Sequence, residues 1–205
     1  MIIAGEASGD LHGAELVRAM QARDPQMRFL GIGGTAMAAA GVDIRFEAAA
    51  LSVVGITEVI PKLPQILKGL RTVRRILARE TPDLLILIDF PDFNLMAAKA
   101  AKRAGVKVLY YISPQVWAWR RGRVRTIARR VDHMAVILPF EADFYHQNGV
   151  PVTYVGHPLL DQIAPLQRTS KEPYELSVPV AIALLPGSRH TEIERHLPLM
   201  LQSAA

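Results

Sequence analysis

The sequence predicts an α/β protein with a doubly wound, mostly parallel sheet of the Rossmann-like kind. Short aliphatic runs alternate with stretches of helical periodicity, which is the pattern of βαβ units. Several of these runs are apolar on both faces, as a strand covered by helices on each side must be. The polar motifs directly follow the strands, where open α/β sheets bind their ligands.

The elements follow one another along most of the chain. The predicted strands span 1–4, 28–32, 43–46, 83–88, 107–112, 134–138, 153–155 and 180–185. The predicted helices span 10–23, 57–79, 92–104, 115–130, 140–148 and 190–203. We expect one domain over 1–164, a proline-rich linker over 165–179 and the beginning of a second, truncated domain over 180–205, because a single βα unit cannot bury its own faces.

Composition limits the possible chemistry. The 205 residues include no cysteine, which excludes a disulfide framework, a thiolate nucleophile and a cysteine zinc site. The first residues lack the features of a signal peptide, and no apolar run is long enough to span a bilayer, so we expect a cytosolic protein. The net charge of +5, with six arginines in 120–130, suits an anionic partner.

The first polar motif, GEASGD, joins strand one to a helix. Gly5 and Gly9 permit a tight turn and close backbone approach, and Ser8 or Asp10 could cap the helix. The spacing matches neither the dinucleotide fingerprint nor the P-loop. Glu6 would repel a phosphate but could bind a sugar hydroxyl, so a plain βα turn and a sugar site both remain open.

The second motif, IDFPDFN, follows the most aliphatic strand. Asp92 is placed to cap the next helix. Asp89 ends a buried strand, where a carboxylate is costly unless it has a partner or a task. In a partly dry cleft its pKa would rise and it could act as a general base. The alternative is an acid that holds the next loop.

The third motif, SPQVWAWRR, contains both tryptophans of the chain. Trp117 and Trp119 beside an arginine cluster could stack on a sugar or lie at a lipid headgroup interface. Core packing of one tryptophan is the alternative. His157, in GHP after strand seven, precedes the predicted linker, so we expect it at an interdomain cleft; a hydrogen-bonded structural histidine is the alternative. Metal binding is not expected, because no second histidine or carboxylate has the required spacing.

Two further segments attract interest. The turn with Gly187, Ser188 and Arg189 offers backbone amides, a hydroxyl and a guanidinium that together could bind a phosphate or diphosphate, with a plain βα turn as the alternative. The stretch around 59–67 is apolar at helical spacing, flanked by lysines, and interrupted by prolines that predict a short, broken helix. It is either a core-facing amphipathic helix or a face for membrane or acyl chains. Its apolar members are Val59, Ile60, Leu63, Ile66 and Leu67.

Seven motifs in order, AGEASGDLHGA, LSVVGITEV, IDFPDFN, YYISPQVWAWR, LPFE, VGHPL and LLPGSR, closely resemble the lipid-A-disaccharide synthase family, glycosyltransferase family 19. The resemblance runs from Ile3 to about Glu194. It implies the N-terminal domain of a glycosyltransferase-B fold and an inverting transfer. The reaction joins UDP-2,3-diacylglucosamine to 2,3-diacylglucosamine 1-phosphate and releases UDP. It needs no cofactor and occurs at the cytoplasmic face of the Gram-negative inner membrane, where the protein is peripheral.

The resemblance also assigns roles. It makes Asp89 the base that deprotonates the acceptor 6-hydroxyl, and it places Ser188 and Arg189, with Gly187, on the donor diphosphate. The acceptor-side loop positions are Gly5, Glu6, Ser8, Gly9 and Asn94. The family's chain is nearly twice as long, so we expect this polypeptide alone to transfer little sugar. Oligomeric state is left open, with a homodimer as one option.

Two alternatives remain. A different glycosyltransferase-B-like enzyme that uses a UDP-sugar would share the fold, but it should lack the apolar stretch at 59–67 and the motifs IDFPDFN and SPQVWAWR. A non-catalytic basic module could instead bind anionic membrane or nucleic acid through 120–130. We expect no nucleic-acid partner, because no RNA- or DNA-binding signature accompanies the arginines.

Overall fold

The computed structural model describes residues 1–51, 59–169, 182–187 and 190–204; the side chains of 59–62, 165–169 and 190–191 lie outside this description. The chain divides into two compact units, Met1–Leu160 and Asp161–Ala205. The first unit contains the sheet and most of the predicted site residues. Among the described helices, none is long and apolar enough to cross a membrane.

The described part of the first unit forms a parallel sheet of seven strands. They are β1 (Ile2–Ala4), β2 (Phe29–Gly33), β3 (Val42–Glu47), β4 (Leu84–Ile88), β5 (Lys107–Tyr111), β6 (His133–Val136) and β7 (Val152–Tyr154). Their order is β3-β2-β1-β4-β5-β6-β7. The chain builds outward from β1 in one direction and then returns to build from β4 in the other. This confirms the doubly wound fold and places the switch in direction between β1 and β4.

Helices connect the strands and cover both faces of the sheet. They are α1 (Ala7–Arg23), α2 (Thr35–Ala39), α3 (Val59–Arg79), α4 (Pro91–Arg103), α5 (Val124–Arg130) and α6 (Pro139–Gln147). Two further helices, α7 (Leu159–Thr169) and α8 (His190–Ala204), belong mostly or wholly to the second unit. One core cluster packs α1 and α2 on the sheet, and a second packs α3 to α6 on the opposite face. The strands are therefore buried on both sides, which explains their continuous aliphatic sequence.

Several predicted elements differ from the structure. The predicted helix 115–130 is wrong in its first half, because a regular α-helix begins only at Val124, after turns and one 3₁₀ turn. Arg120, just before that 3₁₀ turn, has a left-handed φ of 61°, which an α-helix cannot accommodate. The short helix α2 was not predicted, since five residues of TAMAA have too little periodicity to reveal one.

The proline-containing helix is also more regular than expected. α3 runs unbroken from Val59 to Arg79. Pro61 lies in its first turn, where backbone N–H groups lack helical partners anyway, so only Pro64 removes an internal hydrogen bond. The upstream residues 52–58, which include part of the LSVVGITEV motif, lie outside the described residues.

The second unit departs from the prediction at two places. The predicted linker 165–179 begins inside a helix, because α7 continues to Thr169, and 170–179 lie outside the described residues. Residues 182–185, predicted as strand, adopt no regular structure in the described chain, and Leu185 is 83% exposed. A strand forms only when neighbours satisfy its backbone groups, and no described strand pairs with this segment.

Candidate functional site

The switch point brings the first two polar motifs together. β1 and β4 are hydrogen-bonded neighbours, with Ala4 paired to Ile88 at their carboxyl ends. Gly5 and Glu6 therefore leave the sheet beside Asp89 and Phe90. A crevice at this position is the usual ligand site of an open α/β sheet, since the loops on its two sides diverge.

The loop after β1 depends on small residues. Gly5 is buried, and a Cβ atom there would overlap the ring of Phe90. Gly9 lies in the first turn of α1, where a Cβ would meet Ala4 Cβ at 3.4 Å and Ile88 Cγ2 at 3.5 Å. The two glycines thus allow the β4 loop and α1 to approach β1 closely. Glu6 is the N-cap residue of α1 and is partly buried, whereas Ser8 is exposed.

Asp10 has a different task from the one predicted. We expected Ser8 or Asp10 to cap α1, but no side chain caps that helix. Asp10 is buried and accepts hydrogen bonds from the backbone N–H groups of Gly34 at 2.6 Å, Ala36 at 2.9 Å and Met37 at 3.2 Å. Its carboxylate therefore caps α2, whose N-terminal N–H groups attract a negative charge.

The turn after β4 is strained and tightly held. Asp89 and Phe90 both have left-handed φ angles, 43° and 46°, which are uncommon for residues other than glycine. Asn94 is fully buried, and its Nδ2 donates to the carbonyl oxygens of Ile88 at 3.0 Å and Asp89 at 2.7 Å. The Tyr110 hydroxyl donates to the same Asp89 carbonyl at 2.5 Å. Strain of this kind concentrates at functional sites.

The environment of Asp89 raises its pKa. Burial contributes most, the negative charge of Glu6 adds to it, and a hydrogen bond from the Phe90 backbone N–H acts in the opposite direction. Glu6 and Asp89 are thus close enough for their charges to interact. A partly desolvated carboxylate with a raised pKa has the properties of a general base.

The neighbouring Asp92 does not cap α4 as predicted. The N-cap of α4 is Phe90, and no side chain makes a capping hydrogen bond there. The Asp92 carboxylate instead pairs with Arg123 and lies 3.9 Å from Arg120. Two of the six arginines in 120–130 therefore interact with Asp92, an acid beside the site.

The two tryptophans have different surroundings. Trp117 donates from Nε1 to the buried Glu141 carboxylate at 3.1 Å, and its ring packs edge-on against Phe140, with centroids 4.8 Å apart. Trp119 is 62% exposed, and the Arg120 guanidinium lies 4.8 Å from its ring centroid. Only Trp119 is freely available to a sugar or a lipid; Trp117 is held by α6.

The remaining predicted site residues are His157 and the turn that contains Gly187, Ser188 and Arg189. His157 is partly buried, and its Nδ1 accepts a hydrogen bond from the Leu159 backbone N–H at 3.2 Å. Burial, followed by the charge of His157, lowers the pKa of His12 on α1, so the two rings are near one another. Gly187 has a φ of 113°, and Ser188 and Arg189 lie outside the described residues.

The apolar stretch is partly exposed. On α3, Leu63 and Leu67 are 50% and 45% exposed. Ile66 instead packs against the core cluster, so the five apolar residues do not all belong to one exposed face. The side chains of Val59 and Ile60 lie outside the described residues.

Sequence reasoning missed two residues of the site. Phe90 fills the space above Gly5, and Tyr110 reaches the turn from β5. Tyr110 stands beside Leu87 in the sheet register and is fully buried, so it resembles any aromatic core residue in the sequence. Its place at the start of the motif YYISPQVWAWR and the pairing of β4 with β5 are the signals that could have indicated it.

Comparison with known proteins gives a consistent result. The family model described as Lipid-A-disaccharide synthetase matches residues 1–205. The chain is 53% identical over 207 residues to a protein named lipid-A-disaccharide synthase from Geobacter metallireducens, and 54% over 210 residues to one from Syntrophus aciditrophicus. In both cases 100% of this chain aligns with 54% of the relative. The chain therefore spans about half the length of the curated relatives it matches.

Proposed function

Because the chain belongs to the lipid-A-disaccharide synthetase family, we propose that it is the acceptor-side half of an inverting glycosyltransferase. The full-length enzyme joins UDP-2,3-diacylglucosamine to 2,3-diacylglucosamine 1-phosphate, forming the lipid A disaccharide 1-phosphate and UDP. The observation that carries this proposal is the partly buried Asp89 carboxylate at the switch point between β1 and β4.

In this mechanism Asp89 is the base. Its carboxylate accepts the proton of the acceptor 6-hydroxyl as that oxygen attacks the anomeric carbon of the donor. Burial and Glu6 raise the pKa of Asp89, which makes the ionised carboxylate a stronger proton acceptor. Glu6 and Ser8 lie on the loop beside it and serve to bind acceptor hydroxyls.

We assign binding of the UDP-sugar donor to residues of the second unit. Ser188 and Arg189 would hold the diphosphate and stabilise the charge on departing UDP. Gly187, immediately before them, has a left-handed φ of 113° that favours glycine and suits a turn whose backbone approaches a phosphate. No cofactor has a step in this scheme.

The reaction is tested with the full-length protein, authentic acylated substrates and detergent. We expect disaccharide 1-phosphate, detected by mass spectrometry, with inverted anomeric configuration by NMR. Asp89→Ala should lose on the order of a hundredfold or more in kcat, the scale of general-base catalysis. Asp24→Ala, at an exposed acid after α1, is the control. If well-folded protein forms no product, the proposed transfer reaction is wrong, and a different UDP-sugar enzyme or a non-catalytic module is favoured.

We also propose that the face formed by α3, α4 and α5 lies against the cytoplasmic membrane surface. These helices contain twelve Lys or Arg residues and one Asp, whereas α1 and α2 on the opposite face contain two Arg, one Asp and one Glu. Basic residues line grooves on both sides of α4, with Arg74, Lys99 and Arg103 in one and Lys102, Arg129 and Arg130 in the other.

The same face exposes apolar side chains beside these charges. Leu63 and Leu67 of α3 and Met96 of α4 are each between 41% and 50% exposed. Cationic side chains attract anionic headgroups, and exposed leucines can enter the interface, so the combination favours a lipid surface over a nucleic acid.

Sedimentation with vesicles tests this orientation. The wild-type protein should bind vesicles rich in anionic lipid and should bind neutral ones weakly, with binding that falls as salt rises. The pair Leu63→Ser and Leu67→Ser should reduce binding roughly tenfold, as should Lys99→Glu with Arg103→Glu. Leu11→Ser, at a leucine of α1 that is 57% exposed, is the matched control. Equal losses from Leu11→Ser would contradict the proposed face.

A further inference from the structure

The main chain of Asp89 is held by two buried side chains from different elements. The Tyr110 hydroxyl, from β5, donates to the Asp89 carbonyl oxygen at 2.5 Å, and Asn94 Nδ2, from α4, donates to the same oxygen at 2.7 Å. Asn94 also donates to the Ile88 carbonyl at 3.0 Å. Both side chains are fully buried, so neither lies at the surface that a substrate reaches.

The turn needs such support. Asp89 and Phe90 are consecutive residues with left-handed φ angles, and such conformations persist only where the surroundings enforce them. Gly5 contributes by leaving room for the Phe90 ring. Without the two donors, the carbonyl of Asp89 would be free to rotate toward an extended conformation, which would redirect its carboxylate away from the crevice.

Tyr110 is suited to this task at every working pH. Burial, followed by the negative charge of Asp89, raises its pKa well above its ordinary value. The hydroxyl therefore keeps its proton and remains a donor. The pairing of Tyr110 with Leu87 across β4 and β5 sets its backbone position, and its side chain is fully buried.

We propose that Tyr110 and Asn94 are positioning residues that clamp the Asp89 carbonyl and so aim the Asp89 carboxylate at the acceptor hydroxyl. The proposal rests on the proposed role of Asp89 as base. It assigns Asn94 to the interior of the site, behind the loop, and gives a role to Tyr110, the first residue of the motif YYISPQVWAWR.

Tyr110→Phe in the full-length protein is the direct test, because it removes one oxygen atom and keeps the ring. We expect kcat to fall about tenfold while KM for the acceptor changes less than about twofold, since misdirection of a catalytic group slows chemistry more than binding. A loosened turn also admits water to Asp89, so its pKa falls and the acidic limb of the pH profile of kcat moves to lower pH.

Tyr145→Phe is the matched control. Tyr145 is equally buried, and its hydroxyl shares a 2.7 Å hydrogen bond with Ser113 Oγ instead of contacting Asp89. Removal of this hydroxyl should lower the stability of the protein to a similar extent, but the acidic limb of the pH profile of kcat should not move. If Tyr110→Phe and Tyr145→Phe behave alike in the pH profile, the tyrosine acts only through stability and the clamp is wrong.

A measurement without substrate separates this proposal from the reaction itself. The ¹³Cγ resonance of Asp89, assigned with Asp89→Asn, reports its titration directly. Nearby Glu6 and Asp92 remain unchanged in these variants, so a shift reports the clamp. The midpoint should fall in Tyr110→Phe, and in Asn94→Ala if the first variant does not fold. An unchanged midpoint in a folded variant overturns the clamp; absence of sugar transfer in wild type overturns the reaction alone.

Discussion

Glu6 and Asp89 follow the paired carboxyl ends of β1 and β4, and burial, followed by the charge of Glu6, raises the pKa of Asp89. Glu6→Gln removes that charge, so the pKa of Asp89 should fall. A base works when ionised, and its activity is lost as pH falls through its pKa. We therefore expect the acidic limb of kcat/KM to move to lower pH.

The control for Glu6→Gln is Glu15→Gln, at an exposed glutamate on α1 that pairs with Arg18 at 3.9 Å. Glu15→Gln should leave the acidic limb of the kcat/KM profile at the same pH as in the wild type. A limb that does not move in Glu6→Gln would mean that the two carboxylates are not coupled in solution.

Asp89→Asn should abolish transfer and stabilise the protein at neutral pH. The folded-state pKa of Asp89 lies above the unfolded value, so its charge opposes folding at pH 7. This penalty disappears as pH falls through the folded pKa toward the unfolded one. Asparagine also tolerates the left-handed backbone at this position better than most residues.

Thermal unfolding between about pH 3 and pH 7 measures the effect of Asp89→Asn. We expect a gain in Tm on the order of a few degrees at pH 7 that shrinks in acid. The same exchange at the exposed Asp24 should change Tm little. A gain that is as large at pH 3 as at pH 7 would contradict the electrostatic cause.

Gly5→Ala should damage the site through Phe90. The added Cβ would overlap the Phe90 ring, which must then move and take the Asp89 turn with it. We expect about 1–3 kcal/mol of lost stability and a fall in kcat, the range for overpacking a close-packed site. Gly122→Ala is the comparison, because a Cβ there meets nothing within 4 Å. Urea unfolding and initial rates of the two variants would give the answer.

Asp10→Ala should destabilise the fold, although Asp10 has no role in the proposed transfer reaction. It leaves three backbone N–H groups at the start of α2 without their carboxylate partner. We expect a loss of about 2–3 kcal/mol in the free energy of unfolding, the range for a hydrogen-bonded charged group. Chemical denaturation measures it, and an unchanged midpoint would show that the cap contributes nothing. Asp10→Asn, which keeps one acceptor oxygen, should lose less.

The two tryptophans should respond differently to vesicles. Trp117→Phe leaves the exposed Trp119 as the single indole, and its fluorescence should shift to the blue on binding anionic vesicles, because the ring leaves water. Trp119→Phe leaves Trp117, whose indole is already bound to Glu141 and packed on Phe140. Its emission should stay constant. A shift of equal size in both variants would contradict the expectation that Trp119, and not Trp117, meets the lipid.

Periodicity in the sequence predicted the sheet well where local pattern and tertiary environment agree. The aliphatic run before Asp89 forms β4 because a strand between two helical layers needs apolar side chains on both faces. The prediction failed at 115–123 and 182–185, where neighbours decide the backbone conformation. The residues after β5 turn through Ile112 and Arg120, both with left-handed φ angles, before any helix can begin.

The sequence by itself determined the fold class and the family, because these depend on residue types and their order along the chain, and it predicted Asp89 as the base. Only the tertiary structure decided which groups surround Asp89. Phe90 folds over Gly5, Glu6 adds its charge from the loop after β1, and Tyr110 reaches the Asp89 carbonyl from β5. These contacts join residues that lie far apart along the chain and meet only through strand pairing in the sheet, so no local pattern encodes them.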